Sequence, residues 1–168
     1  LRRYGKTRVS WAQKLTFGMI KNDHFVQNFS DRDVAAFEAP FGIREFGIKK
    51  ANQRLIETVD AFEPDLLVAG HCDMISNETI QLIKKRHANL KVCHCNNDPL
   101  FIPSNVERIK SRASVVDAIF VSTGRRELKI FEGLGARVYH MPNPVEASME
   151  CLDNSKKTEF SIDLLFCS

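Results

Sequence analysis

No stretch of the sequence approaches the run of about 18 apolar residues that a membrane-spanning helix needs. The basic opening, Leu1-Arg2-Arg3, leads into no apolar core of an export signal, so a cytoplasmic location is the expectation. Cysteine is spaced badly for metal. Cys72, Cys93, Cys95, Cys151 and Cys167 are odd in number, and Cys93-x-Cys95 lacks both the two-residue gap and the second pair of a zinc knuckle. Buried free thiols in a reducing compartment are the plainer reading. His24, His87 and His140 show no i, i+4 pairing, and no metal is expected. An excess of charge is missing too. With 24 Lys+Arg against 21 Asp+Glu the net charge is +3, too small to imply nucleic acid or an anionic membrane. There is no internal repeat and no low-complexity tract.

What remains is an ordinary globular balance. The chain has 168 residues, 43% hydrophobic and 27% charged, enough for one domain with a real core. Trp11, Ala12, Leu15 and Met19 fall at helical spacing, which predicts a helix over 8–22. Phe25 to Phe29 reads as a short strand. Ser30 to Asp33 offers capping side chains to a short helix through Val34 and Phe37, broken at Pro40-Phe41-Gly42. Ile48, Ala51, Leu55, Ile56, Val59 and Phe62 predict a helix over 45–62, stopped by Pro64.

Asp65 to Gly70 is a continuous apolar run, the mark of a parallel strand buried on both faces. Ser76 or Asn77 can cap the helix that follows, and 91–95 is the next strand. Ser104-x-x-Glu107 reads as a capping box behind Pro103. The run 118–122 is a third strand. Thr123 can cap a helix ending at Gly133 and Gly135, and 137–140 is a short strand. Strands alternating with helices predict an α/β fold: a Rossmann-like, doubly wound open parallel sheet with helices on both faces.

Such a sheet places chemistry at the carboxyl ends of its strands. His71 and Asp73 follow the first buried run, as a general base and a carboxylate to orient it, or as a loop histidine satisfied by backbone. Asn96, Asn97 and Asp98 follow the next strand, and Pro99 holds Asp98 extended, which aims a carboxylate and two amides toward a cleft. They are site residues or simple turn chemistry. Thr123-Gly124-Arg125-Arg126 offers a weak anion site at a helix start. Asn143 lies in the rigid turn Met141-Pro142-Asn143-Pro144. Gly5-Lys6-Thr7 looks like the tail of a P-loop of a phosphotransferase, whose earlier Gly would fall at position 0, just off the chain; the strand that should precede it is not visible.

Taken together, Pro64 to Thr79, Asn97-Asp98-Pro99-Leu100-Phe101, Met141 to Val145 and Phe29 to Asp33 resemble the CgeB-like (spore-protein YkvP-type) glycosyltransferases, over 12–168. The resemblance implies a GT-B enzyme, two Rossmann-like domains facing a cleft. It implies a metal-independent transfer of sugar from a nucleotide-sugar donor to a hydroxyl acceptor, with no cofactor. Carried over by position, His71 and Asp98 are the candidate catalytic residues. Asp73, Asn97 and Asn143 are the candidate substrate contacts. The expected partners are a sugar or glycan acceptor and the donor, with no nucleic acid. The expected organisation is an acceptor-side domain over 1–150, a polar linker over 151–159, and the first strand of a donor domain over 160–168. That makes the polypeptide a fragment, truncated at both ends and inactive alone. A flavodoxin- or receiver-like binding module and a sugar-nucleotide epimerase are the alternatives.

Overall fold

The computed structural model of the chain describes residues 10–147 and 156–159. Gly5-Lys6-Thr7, Cys151, Cys167 and the expected strand over 160–168 lie outside the described residues. So does most of the expected linker, of which 156–159 is exposed and irregular.

Ser10 opens helix α1 (Trp11–Lys21), its hydroxyl accepting from the Gln13 amide. The following segment, 24–30, has no regular secondary structure, so Phe25 to Phe29 is not a strand among the described residues. Phe25 is exposed, and only Phe29 packs against the core. Helix α2 (Asp31–Glu38) starts at Ser30, but the Ser30 hydroxyl donates to Asp33 Oδ2 at 2.7 Å and caps no amide. Pro40–Gly42 forms a 3₁₀ turn, with Phe41 held at φ 58°. Helix α3 (Arg44–Phe62) runs to a left-handed Glu63 ahead of Pro64. Its buried stripe is Gly47, Ala51, Leu55, Ile56 and Val59.

Four strands follow: β1 (Leu66–Ala69), β2 (Lys91–Asn96), β3 (Ala118–Val121) and β4 (Arg137–His140). They form one parallel sheet in the order β1-β2-β3-β4. Helix α4 (Asn77–Arg86), helix α5 (Pro103–Arg112) and a 3₁₀ turn (Arg125–Phe131) make the crossovers. The order never reverses. Right-handed crossovers that step in one direction lie on one face of a sheet, so the crossovers between these four strands share one face of an open, Rossmann-like parallel sheet.

Ser76 caps α4, accepting from the Thr79 amide at 3.2 Å. The other expected caps do not form. Pro103 takes the first helical position of α5, which makes Ile102 the cap and leaves Ser104 and Glu107 inside the helix. After β3, Gly124 precedes a 3₁₀ turn with no side-chain cap, so Thr123 caps nothing. β2 is buried along its length, as expected of a central parallel strand. β1 is not, with Leu66 exposed, because it has a neighbour on one side only among the described residues.

Alternation and register put Leu67, Val92, Ile119, Val121 and Val138 on one face. That face packs on Leu55, Ile56, Val59, Ile80, Ile83 and Ile109 to make the core. Each fully buried side chain there contributes roughly 1.5–3 kcal/mol. The opposite face carries the free thiols Cys93 and Cys95 and the stacked rings of Phe120 and Tyr139, 5.6 Å apart.

Candidate functional site

The loop after β1 is fastened from three helices. From α2, Asp31 Oδ2 accepts the Met74 amide at 3.1 Å. From α3, Asn52 donates to the Met74 carbonyl at 2.7 Å and accepts from the Ser76 amide at 2.9 Å and the Thr79 hydroxyl at 2.7 Å. From α5, Arg112 donates to the Cys72 carbonyl at 2.9 Å, to Asn77 Oδ1 at 2.7 Å and to the Ile75 carbonyl. A loop with its carbonyls and amides satisfied this way presents its remaining side chains in fixed places.

Those side chains are His71 and Asp73, and the loop after β2 brings Asp98 to meet them. His71 Nδ1 lies 3.1 Å from Asp98 Oδ2. A carboxylate only accepts, so Nδ1 carries the hydrogen in this contact. In the neutral ring the acceptor lone pair is then on Nε2. Nε2 is 3.8 Å from Asp73 Oδ1, too far for a hydrogen bond. His71, Asp73 and Asp98 are 44%, 37% and 35% exposed, so the cluster is open to a ligand.

Each carboxylate is held by an arginine. Arg32, on α2, forks onto Asp73 with Nη2 at 2.9 and 2.7 Å and Nε at 3.2 Å. Burial, the largest single influence, pushes the Asp73 carboxyl up, but the Arg32 hydrogen bonds, a backbone hydrogen bond and the Arg32 and His71 charges together outweigh it, and the net shift is down. The same bonds raise Arg32. Arg108, on α5, donates from Nη2 to Asp98 Oδ2, and reaches Asn96 Oδ1 and Asn105 Oδ1 at 3.2 Å each. The Asn96 amide donates to the Asp98 carbonyl at 3.0 Å, which fixes the turn. The result is a charge-balanced row: Arg32, Asp73, His71, Asp98, Arg108.

Beneath the row, His94 on β2 is 1% exposed. Burial, then the nearby Arg112 and Arg108 charges, hold it down at about 4, so it is neutral. Burial also raises the Cys72 thiol.

Of the residues read from the sequence, His71, Asp73 and Asp98 come together. Asn97 sits beside them in the chain but is exposed and makes no hydrogen bond among the described residues. Asn143 follows β4, three strand positions from β1, about 14 Å away at the usual strand spacing. It is exposed and does not join the cluster. After Gly124 the chain forms the 3₁₀ turn Arg125–Phe131, so the α-helix start on which the expected anion site depended is not there.

Arg32, Asn52, Arg108 and Arg112 were not singled out from the sequence as site residues. A signal existed for some. Asn105, Arg108 and Arg112 share a stripe of α5 with Ile109, and Asn52 interrupts the apolar stripe of α3. Polar residues on a buried stripe require partners.

The fold and site define an α/β chain whose parallel sheet carries an Arg-Asp-His-Asp-Arg cluster at its carboxyl edge. No protein family, curated protein or solved structure matches it. Among the described residues no group of three or more His, Cys, Asp or Glu is arranged to hold a metal ion, and no helix is long and apolar enough to cross a membrane.

Proposed function

We propose that the chain is the acceptor-side part of a metal-independent glycosyltransferase with two facing Rossmann-like domains. It would move a sugar from a nucleotide-sugar donor to a hydroxyl acceptor. The observation that carries this reading is the 3.1 Å contact of His71 Nδ1 with Asp98 Oδ2 at the carboxyl edge of the sheet: with Nδ1 as donor, the neutral imidazole keeps its acceptor lone pair on Nε2. An imidazole in that state can accept a proton.

In the proposed step the acceptor O–H gives its proton to His71 Nε2. The oxygen attacks the anomeric carbon, and the bond to the donor's diphosphate breaks. The nucleoside diphosphate leaves with the bonding electrons, stabilised by groups of the donor side. Asp98 Oδ2 is occupied by His71 and Arg108, while Oδ1 makes no bond among the described residues and can take an acceptor hydroxyl. Asp73, with both oxygens on Arg32, shapes the site beside it. Asn97 and Asn143 are proposed as outer contacts on the acceptor and at the crossing to the donor side.

The test uses the complete coding sequence. The expressed protein is incubated with uridine, guanosine and thymidine diphosphate sugars, and release of nucleoside diphosphate is measured. His71→Gln and Asp98→Asn are each expected to lower kcat by roughly 10²–10⁴-fold, the scale of lost general-base catalysis. Absence of release from every donor overturns the reading. Interconversion of two nucleotide sugars without release indicates the epimerase. Release unaffected by both substitutions removes His71 and Asp98 from the chemistry.

A further inference from the structure

We infer that Arg108 is the positioning residue of this cluster. It holds Asp98 against His71 Nδ1 and thereby fixes the imidazole tautomer. The catalytic use of that tautomer rests on the proposed transferase; the tautomer itself does not.

Three acceptors from three places converge on one nitrogen of Arg108: Asp98 Oδ2, Asn96 Oδ1 at the end of β2, and Asn105 Oδ1 one turn earlier on α5. Asn105 in turn donates to the Pro99 carbonyl at 3.0 Å. The guanidinium therefore ties the end of β2, the Asp98 turn and the start of α5 into one unit.

The pose is also costly. Arg108 Nε is buried without a hydrogen-bond partner, and such a group opposes folding. An apolar side chain on this stripe of α5 would serve the core better. What the arginine supplies in exchange is the fixed Asp98. Asp73 cannot substitute, because both its oxygens are engaged by Arg32 and it lies outside hydrogen-bond reach of the ring.

The test is the tautomer of His71, read from ¹⁵N shifts of the ring nitrogens in the histidine-labelled chain above its titration range. His71→Gln assigns its signals among the five histidines. In the wild type His71 is expected as the Nδ1–H form. Arg108→Ala and Arg108→Gln are expected to make the Nε2–H form, favoured by free imidazole, the majority. Arg108→Lys should fall between. Glu107→Gln, on the exposed side of α5, should change nothing. If Arg108→Ala fails to fold, the Gln and Lys variants decide. Folded Arg108 variants that keep the wild-type Nδ1–H form overturn the inference, as does a wild type in the Nε2–H form. In the transferase assay Arg108→Gln should lower kcat on the order of 10- to 100-fold with the donor KM unchanged, the scale for removing a group that orients a functional histidine. A protein with the expected tautomers and no transferase activity loses the catalytic reading and keeps the positioning role.

Discussion

His94 shows how much one side chain can impose on the molecule. It lies on the core face of β2, and neither ring nitrogen is hydrogen-bonded. Burial and the adjacent Arg112 and Arg108 lower it from 6.5 to about 4. The unfolded chain therefore takes up this proton before the folded one does. The stabilising effect is complete above 6.5 and is lost as pH falls from 6.5 towards 4, on the order of 3 kcal/mol in all. His94→Leu removes this dependence. Urea unfolding at pH 7.5 and pH 4.5 should show wild type losing more stability than the variant. Equal losses in the two proteins would mean that His94 is not the group responsible. His94 was invisible as a feature of the sequence because its environment comes from α5, and nothing in Cys93-His94-Cys95 reports which helix lies above it. His71 and Asp98 were legible for the opposite reason. Each lies two residues past the carboxyl end of a parallel strand, where the fold dictates that loops meet.

At the scale of elements, α2 and α3 are held closer than side chains allow. A Cβ on Gly47 would lie 1.8 Å from the Ala35 carbonyl oxygen. Gly47→Ala must push α2 away, at about 1–3 kcal/mol. Because α2 carries Asp31 and Arg32, the Asp73 loop should loosen with it. Gly18 in α1 is the contrast, with nothing within 4 Å of an added Cβ. Gly18→Ala is expected to stabilise by roughly 0.5–1 kcal/mol. Thermal unfolding of both variants checks the pair, and a Gly47→Ala protein as stable as wild type would show that the helices separate freely. Apart from the helix expected after β3, where the chain forms the 3₁₀ turn Arg125–Phe131, the helices and strands from Arg44 to His140 were legible because apolar spacing and Pro or Gly boundaries agree there. Phe25 to Phe29 misled because alternation records a strand's faces and says nothing of a partner for its ladder. The capping box over Ser104 and Glu107 misled because Pro103 competes for the helix start and wins by its fixed φ.

Across the whole molecule, the strand order and the exposed surface belong together. Four strands laid down in one direction bury one face well, through α3, α4 and α5, while large apolar side chains remain in solvent elsewhere. Phe37, Phe41 and Phe46 are each more than two-thirds exposed. Phe41 is the sharpest case, because it is 98% exposed and also sits at φ 58°. A bulky side chain in the left-handed region costs on the order of 1–2 kcal/mol, and Asn tolerates that region far better. Phe41 recovers none of that cost through burial. Phe41→Asn should therefore raise the stability of the molecule by about 1 kcal/mol, seen as a higher midpoint in urea, while lowering its binding of a hydrophobic dye. Both effects must appear together. A destabilised variant would mean that the Phe41 ring is packed in solution, and the turn at Pro40–Gly42 would then be an ordered contact instead of a strained, solvent-facing tip.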